Sequence, residues 1–387
     1  GASTFFSFFL NAGMYEDVIP LDCLAICPTF SAAGQQAWGS RVHKVLPSAG
    51  AEGIVEAWPA FCSARDVVYK DLVWSPAAER HFNVTATVPS VIGENKLPRP
   101  EHHMPSILFR LDGQYLWPAM PHHGDAFLGG LSNTGMVRDI IFVEVDLSLH
   151  GDAKWRHPLI APTPLRHCPA QSKALHMWPD LQTSWEGYFP TYLKLNSTYG
   201  FGKSDALLSF LFDELLPNLT QKLLPPGPGG RPLHLRDLDV GLWGVSDAGI
   251  TAWYGVWKRP GDFDAALMQS PFLLWNCGEI LEEVLNASPN WTARHNNNGR
   301  LRFYMDRGTD SEEDKFGQST ERFYSLLHHV GFKDGKDLFL TRGIGDGHFD
   351  IAFYKRAPKA LVALFGDNAR LVLSYETPEV QKMPDFM

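Results

Sequence analysis

The stretch "DVGLWGVSDAGITAWYG", residues 239–255, sets an apolar run, a serine between glycines and a second apolar run within seventeen residues. Asp239 to Trp243 is short and apolar enough for a buried strand, whereas Ile250, Trp253, Tyr254 and Trp257 recur at helical spacing. Ser246 is therefore expected on the turn between a strand and a helix. Gly244-Val245-Ser246-Asp247-Ala248-Gly249 fits the G-x-S-x-G nucleophile elbow with alanine at the second small position. That turn is tight, so only small residues fit two places before and after the serine. A serine at a helix start also reads as a plain N-cap, so a nucleophile requires partners elsewhere in the chain.

Working outward, apolar runs alternate with helical stretches on both sides, the pattern of a mainly parallel sheet covered by helices on both faces. The expected strands are 106–113, 139–147, 239–246, 264–270, 300–308 and 337–343, preceded by an antiparallel pair at 65–75 and 81–90. The expected helices are 203–224, 248–258, 315–331 and 350–366, the first stopped by "LLPPGPGGRP" at 223–232. The fold class is thus an α/β three-layer sandwich occupying residues 65–366. Residues 1–64 read as an extension wrapping that body and 367–387 as a tail. Residues 148–202, rich in Pro, His, Trp and Tyr but weakly periodic, read as an insertion over the strand ends, where α/β folds bind ligands. Its Trp155, Trp178, Trp185, Tyr188, Phe189 and Tyr192 form either a wall for aromatic acyl groups or ordinary packing.

At 387 residues and 44% hydrophobic content the chain can bury a large core, and its net charge of -9 argues against a nucleic-acid partner. No apolar run is long enough for a membrane span. The cysteines, Cys23, Cys27, Cys62, Cys168 and Cys277, contain no CxxC pair and allow one or two disulfides. Sequons at Asn83, Asn196, Asn218, Asn286 and Asn290 exceed the roughly one or two expected by chance among thirteen asparagines. The excess favours a secretory route with N-linked glycans over a cytoplasmic location, although Ser288-Pro289 disfavours glycosylation at Asn286.

A serine nucleophile needs a histidine base and a carboxylate, in the chain order Ser, acid, His for such a sheet. "MDRGTDSEED", 305–314, follows one expected strand and offers Asp310; "RGIGDGHFDIAFYKRAPKAL", 342–361, follows the last and offers His348. Both fall on the sheet edge expected for Ser246. The alternation of Asp310, Glu312 and Asp314 fails as a calcium loop, because Lys315 stands where glycine is required. The pairs His102-His103, His122-His123 and His328-His329 suggest no metal site; the last is expected on a helix surface. His122 and His123 instead fit a pocket wall, and Arg138, Arg156 and Arg166 are candidates for an anionic substrate group.

Four segments, "ILFRLDGQYLW" (107–117), "LWGVSDAGITAWYGVWKRPGDFDAALMQSPFLLW" (242–275), "RFYMDRGTDSEE" (302–313) and "GDGHFDIAFYKRAPKALVALFG" (345–366), resemble in order an esterase family of α/β hydrolases. That family includes the enterochelin and other siderophore esterases, the feruloyl esterases and the esterase D group. The resemblance implies an α/β-hydrolase fold and a cofactor-free serine esterase acting on small, aromatic or siderophore-type esters. It implies Ser246 as nucleophile, His348 as general base then acid, and Asp310 as the orienting carboxylate. Asp306, Glu312, Glu313 and Asp314 crowd the same loop as alternative acids. It further implies the backbone N–H groups of Asp247 and Gln114 as oxyanion donors, with Tyr115, Trp117, His122 and His123 around the substrate. Ala248 replaces the first of the family's paired glycines, and Phe353-Tyr354 stand where the family has a tryptophan after the histidine. The same residues also suit an acyltransferase, or a relative that kept the fold as an inactive interaction subunit.

Overall fold

The structure, a computed structural model, describes residues 67–88, 105–116, 137–149, 152–169, 172–224, 235, 238–296 and 299–366. The 1–64 extension, the 367–387 tail, Cys23, Cys27, Cys62, His102, His103, Trp117, His122 and His123 lie outside the described residues. Eight strands form one sheet in the order β1-β2-β4-β3-β5-β6-β7-β8. They are β1 (Val67–Ser75), β2 (Arg80–Val88), β3 (Ser106–Leu111), β4 (Ile140–Asp146), β5 (Asp239–Val245), β6 (Ala265–Gln269), β7 (Arg302–Gly308) and β8 (Leu338–Gly343). As the sequence predicts, β1 and β2 run antiparallel, and β3 to β8 are mutually parallel.

The parallel strands read as unbroken apolar runs because both faces of the sheet are covered. Alternate residues divide between two cores: Phe109, Val240, Leu242 and Met268 pack on one side, Leu108, Phe142, Trp243 and Leu267 on the other. The first side is covered by α1 (Asp180–Tyr199), the Ser204–Leu223 segment and α2 (Asp247–Lys258), with α3 (Trp275–Leu285) and α4 (Ser311–His329). The second is closed by α5 (Asp350–Phe365), whose Phe353, Leu361 and Phe365 lie against Trp243 and Tyr304.

The helix expected at 203–224 forms, but widens into a π-helical stretch at Phe210–Leu215 before continuing as Leu216–Leu223. Pro217 has no N–H with which to continue the α-helical ladder, and the wider turn precedes it. A larger departure lies in the 148–202 insertion, which contains the twenty-residue helix α1. Trp185, Tyr188, Phe189 and Tyr192 lie three and four apart, one helical face, and Pro190 within the helix obscured that pattern. Helix α3 is a further element that the sequence pattern does not predict. Its first turn places Asn276, Cys277 and Gly278 at φ of 48°, 63° and 75°, a left-handed course that a helical repeat in the sequence does not signal.

Chain order reverses direction across the sheet between β3 and β5: β4 and β2 lie to one side, β6 to β8 to the other. This reversal is a topological switch point, where loops leaving the carboxyl ends of β3 and β5 are expected to part into the crevice in which open α/β sheets usually bind ligands.

Candidate active site

Ser246 follows β5 and immediately precedes α2, with φ 56° and ψ -122°. Positive φ is uncommon for serine and is held here by three backbone bonds: Ser246 N–H donates to Gln269 O at 2.9 Å, and Ser246 O accepts from Gly249 N at 3.0 Å and Phe272 N at 3.1 Å. The small-residue pattern has a direct cause. A Cβ on Gly244 would come within 2.0 Å of Ala248 O, a backbone atom that cannot yield. The side chain of Ala248 is itself buried, so alanine in the family's glycine position is accommodated by packing.

His348 lies on the loop between β8 and α5, and its ring meets that of Phe353 at nearly a right angle with centroids 5.1 Å apart, close to where the family it resembles has a tryptophan. Its Nδ1 lies 3.0 Å from Glu313 Oε1. Glu313 thus places a carboxylate on this imidazole, in the loop where the sequence points to Asp310 as the orienting acid. Burial explains the difference. Glu313 is 0% exposed whereas Asp310 is a surface residue, and a carboxylate acts most strongly on an imidazole where water does not screen it. The helix after β7 begins at Ser311, four residues earlier than expected, and this puts Glu313 in its first turn. The loop is fastened by Asp310 N–H donating to Asp346 O at 3.1 Å and Gly345 N–H to Thr309 Oγ1 at 2.8 Å. Burial alone would raise the Glu313 carboxyl, but hydrogen bonds from His348 and Ser270 and the charge of Arg356 bring it below the ordinary glutamate range. Asp306, the next acid of the stretch, lies within β7, is fully buried and is bonded to Arg356 at 3.0 Å.

The crevice side is organised by the insertion. Asp112, at φ 63° just after β3, receives Arg156 Nε at 2.8 Å and Nη2 at 2.5 Å, a forked pair. Arg156 Nη1 also approaches Asp247 Oδ2 at 3.7 Å, so one guanidinium spans the loops after β3 and β5. The Asp247 carboxylate accepts from Tyr192 Oη at 2.7 Å and lies 3.6 Å from His157 Nδ1. Burial lowers the His157 imidazole, and burial beside Asp247 raises the Tyr192 phenol well above its ordinary value. Tyr192 therefore stays a neutral donor. Asp247 opens α2 and Gln114 lies in the short helix Gly113–Leu116; N–H groups in a first helical turn have no intrahelical acceptor. The side chain of Gln114 is occupied, donating to Asp112 Oδ1 at 3.1 Å and accepting from Leu147 N at 3.0 Å. Tyr115 shares that short helix.

The other arginine candidates separate. Arg138 bonds Asp239 at 2.6 Å, at the amino-terminal end of β5, the edge opposite Ser246. Arg166 pairs with Glu279 at 2.7 Å and is about half exposed. His328 and His329 are exposed in the last turn of α4. The insertion aromatics are mainly packing: Trp185 and Tyr192 are buried, and Tyr192 stacks on Phe272 at 5.3 Å. Cys168 of the insertion is joined by a disulfide to Cys277 at the start of α3. Beside it, buried Asn276 accepts from Arg166 N at 3.0 Å and donates to Thr163, Pro164 and Glu279, which holds the left-handed turn in place. Among the described residues no helix is long and apolar enough to cross a membrane, and no group of three or more potential ligands could hold a metal ion.

No protein-family model matches this chain, and no curated protein matches it in sequence. Solved structures do. The BES protein from Bacillus cereus is 15% identical with TM-score 0.51, covering 77% of this chain and 94% of that one. An IroE-like serine hydrolase from Shewanella oneidensis is 14% identical with TM-score 0.51, covering 78% and 80%. The enterobactin esterase from Shigella flexneri aligns at 15% identity and TM-score 0.49, covering 78% of this chain and 60% of that one. The chain has the α/β-hydrolase fold.

Proposed function

We propose that this chain is a serine carboxylic ester hydrolase. One observation carries the reading: a strained serine on a strand-to-helix elbow shares a sheet edge with a histidine whose Nδ1 faces a fully buried carboxylate 3.0 Å away. In this reading Ser246 attacks the ester carbonyl while His348 takes its proton, Glu313 orients the imidazole and offsets its charge, and an acyl-enzyme forms. His348 then returns the proton to the leaving alcohol and activates water for the second step. The N–H of Asp247 and that of Gln114, on the two loops spanned by Arg156, hold the developing oxyanion; each such donor contributes roughly 3 kcal/mol to the transition state.

No cofactor is required by this chemistry. The substrate is a carboxylic ester, and the siderophore-type, hydroxycinnamate and small acyl esters named by the resemblance are the first to try. The disulfide and the exposed Asn83 and Asn290 sequons support passage through a secretory route with N-glycans. The test is hydrolysis of p-nitrophenyl acetate together with labelling by a fluorophosphonate. The full chain should do both, and Ser246→Ala should do neither, losing activity by roughly 10⁴-fold or more. A folded chain that neither hydrolyses nor labels would assign the fold a non-catalytic role.

A further inference from the structure

Ser270, the first residue after β6, is 1% exposed and held at φ 42°. Its N–H donates to Asp306 O at 2.9 Å, fixing the backbone. Its Oγ lies 2.7 Å from Glu313 Oε1 and 2.9 Å from Arg356 Nη2. The proton count gives this arrangement a direction. A guanidinium has only donors, so the serine hydroxyl accepts from Arg356 and has its single proton left for Glu313. The same Oε1 faces His348 Nδ1 at 3.0 Å. Four side chains from four elements thus form a polarised line from Arg356 through Ser270 and Glu313 to His348.

We propose that Ser270 and Arg356 are positioning residues for the hydrolysis proposed above, on which this inference rests: they lock Glu313 in the rotamer and charge state that align His348. Arg356 is 3% exposed and each of its three nitrogens has a partner, Nε bonding Asp306 at 3.0 Å, Nη1 Asp346 at 3.3 Å and Nη2 Ser270. The anchorage continues inward. Gln269 Nε2 donates to the other oxygen of Asp306 at 3.1 Å, and Gln269 Oε1 accepts from Trp243 Nε1 at 2.9 Å, at the centre of the sheet. A buried carboxylate with one partner could rotate away from the imidazole. With Ser270 donating to the same oxygen, rotation would break two charge-assisted hydrogen bonds at once.

The charged groups around this line are Asp306 from β7, Asp310, Asp346 with Lys355 bonded to it at 3.2 Å, and Asp350, which feels Arg110 and His348. Losing the Ser270 hydroxyl removes one of the donors that hold Glu313 ionised, so its carboxyl should protonate at higher pH.

The experiment compares the full chain with Ser270→Ala and Ser270→Gly. Glycine accepts positive φ without strain, so it serves a turn as well as serine does but supplies no hydroxyl. In both variants kcat for p-nitrophenyl acetate should fall about tenfold with KM unchanged. The acid limb of the kcat profile should move to higher pH, and the downfield proton resonance of His348 Nδ1–H should broaden or vanish. Arg356→Lys, which keeps charge but loses the fork, should show the same pattern more weakly. If Ser270→Gly is folded and retains the parent kcat, acid limb and proton signal while Glu313→Gln is inactive, Ser270 is only a turn residue and the proposal is overturned. If Ser246→Ala and Glu313→Gln both retain hydrolysis, the esterase reading itself fails and takes this inference with it.

Discussion

The two sides of the crevice are built by different rules. On one side Ser246, Glu313 and His348 follow β5, β7 and β8, parallel strands whose buried sides leave almost no freedom in where their loops emerge. On the other side Arg156, His157 and Tyr192 come from the helices of the insertion, and they reach Asp112 and Asp247 through charge and hydrogen bonds rather than strand register. The strand side sets where Ser246, Glu313 and His348 stand; the insertion side sets how the loops after β3 and β5 are tied together. A repeating scaffold can be read from periodicity, whereas a clamp made of single side chains cannot.

The most severe way to break the strand side is at its acid. Glu313→Gln keeps the shape but removes the charge, and under the proposed function kcat should fall by roughly 10³–10⁴-fold, as for the orienting acid of serine hydrolases. Asp310→Asn, on the surface, should change kcat by less than about threefold, within the spread of ordinary surface substitutions. Equal losses in the two variants, measured by steady-state kinetics, would return the orienting role to Asp310.

For the insertion side the larger effect is on stability. The Cys168–Cys277 bond closes a separation of 109 residues, and its removal should cost about 3–5 kcal/mol. Thermal melting of the Cys168→Ser, Cys277→Ser double variant should show one cooperative transition at lower temperature. A separate early transition would mean that the insertion is a unit of its own.

A smaller effect on rate should follow from Arg156→Met, which frees Asp112 and Asp247 from each other: kcat should fall about tenfold through a looser oxyanion site. Arg156→Lys, which keeps the charge without the fork, should recover only part of it. An unchanged kcat would limit the insertion to packing.

The smallest effect concerns Asp264, far from both sides of the crevice, at the amino-terminal end of β6. Burial lifts its carboxyl to about 6, despite a hydrogen bond from Val240 N and the nearby Arg300. The folded chain therefore binds a proton there that the unfolded chain has lost, and stability should decline as pH rises from about 4 through 6. Asp264→Asn should flatten that decline in denaturant titrations while leaving kcat unaltered.

Most of the sheet was legible because a strand buried on both faces must be apolar along its length, and "GLWGVSDAG" could hardly be anything except a strand, a tight elbow and a helix. The helix over 180–199 was not, since Pro190 interrupts the pattern although Trp185, Tyr188, Phe189 and Tyr192 keep its spacing. Among the acids of 306–314, composition could name the group but not the member. A helix start four residues earlier moved Glu313 inward, and exposure differs between Asp310 and Glu313 for reasons that no local pattern carries.

By itself the sequence determined the layered α/β scaffold, the elbow at Ser246 and the position of His348 after the last strand, because these follow from hydrophobic periodicity and backbone sterics acting over a few residues. Only the tertiary structure decided that Glu313 faces the imidazole, that Ser270 and Arg356 stand behind it, and that Arg156 ties the crevice loops together. Those choices depend on which polar groups are removed from water together, and that is settled by contacts between residues tens of positions apart.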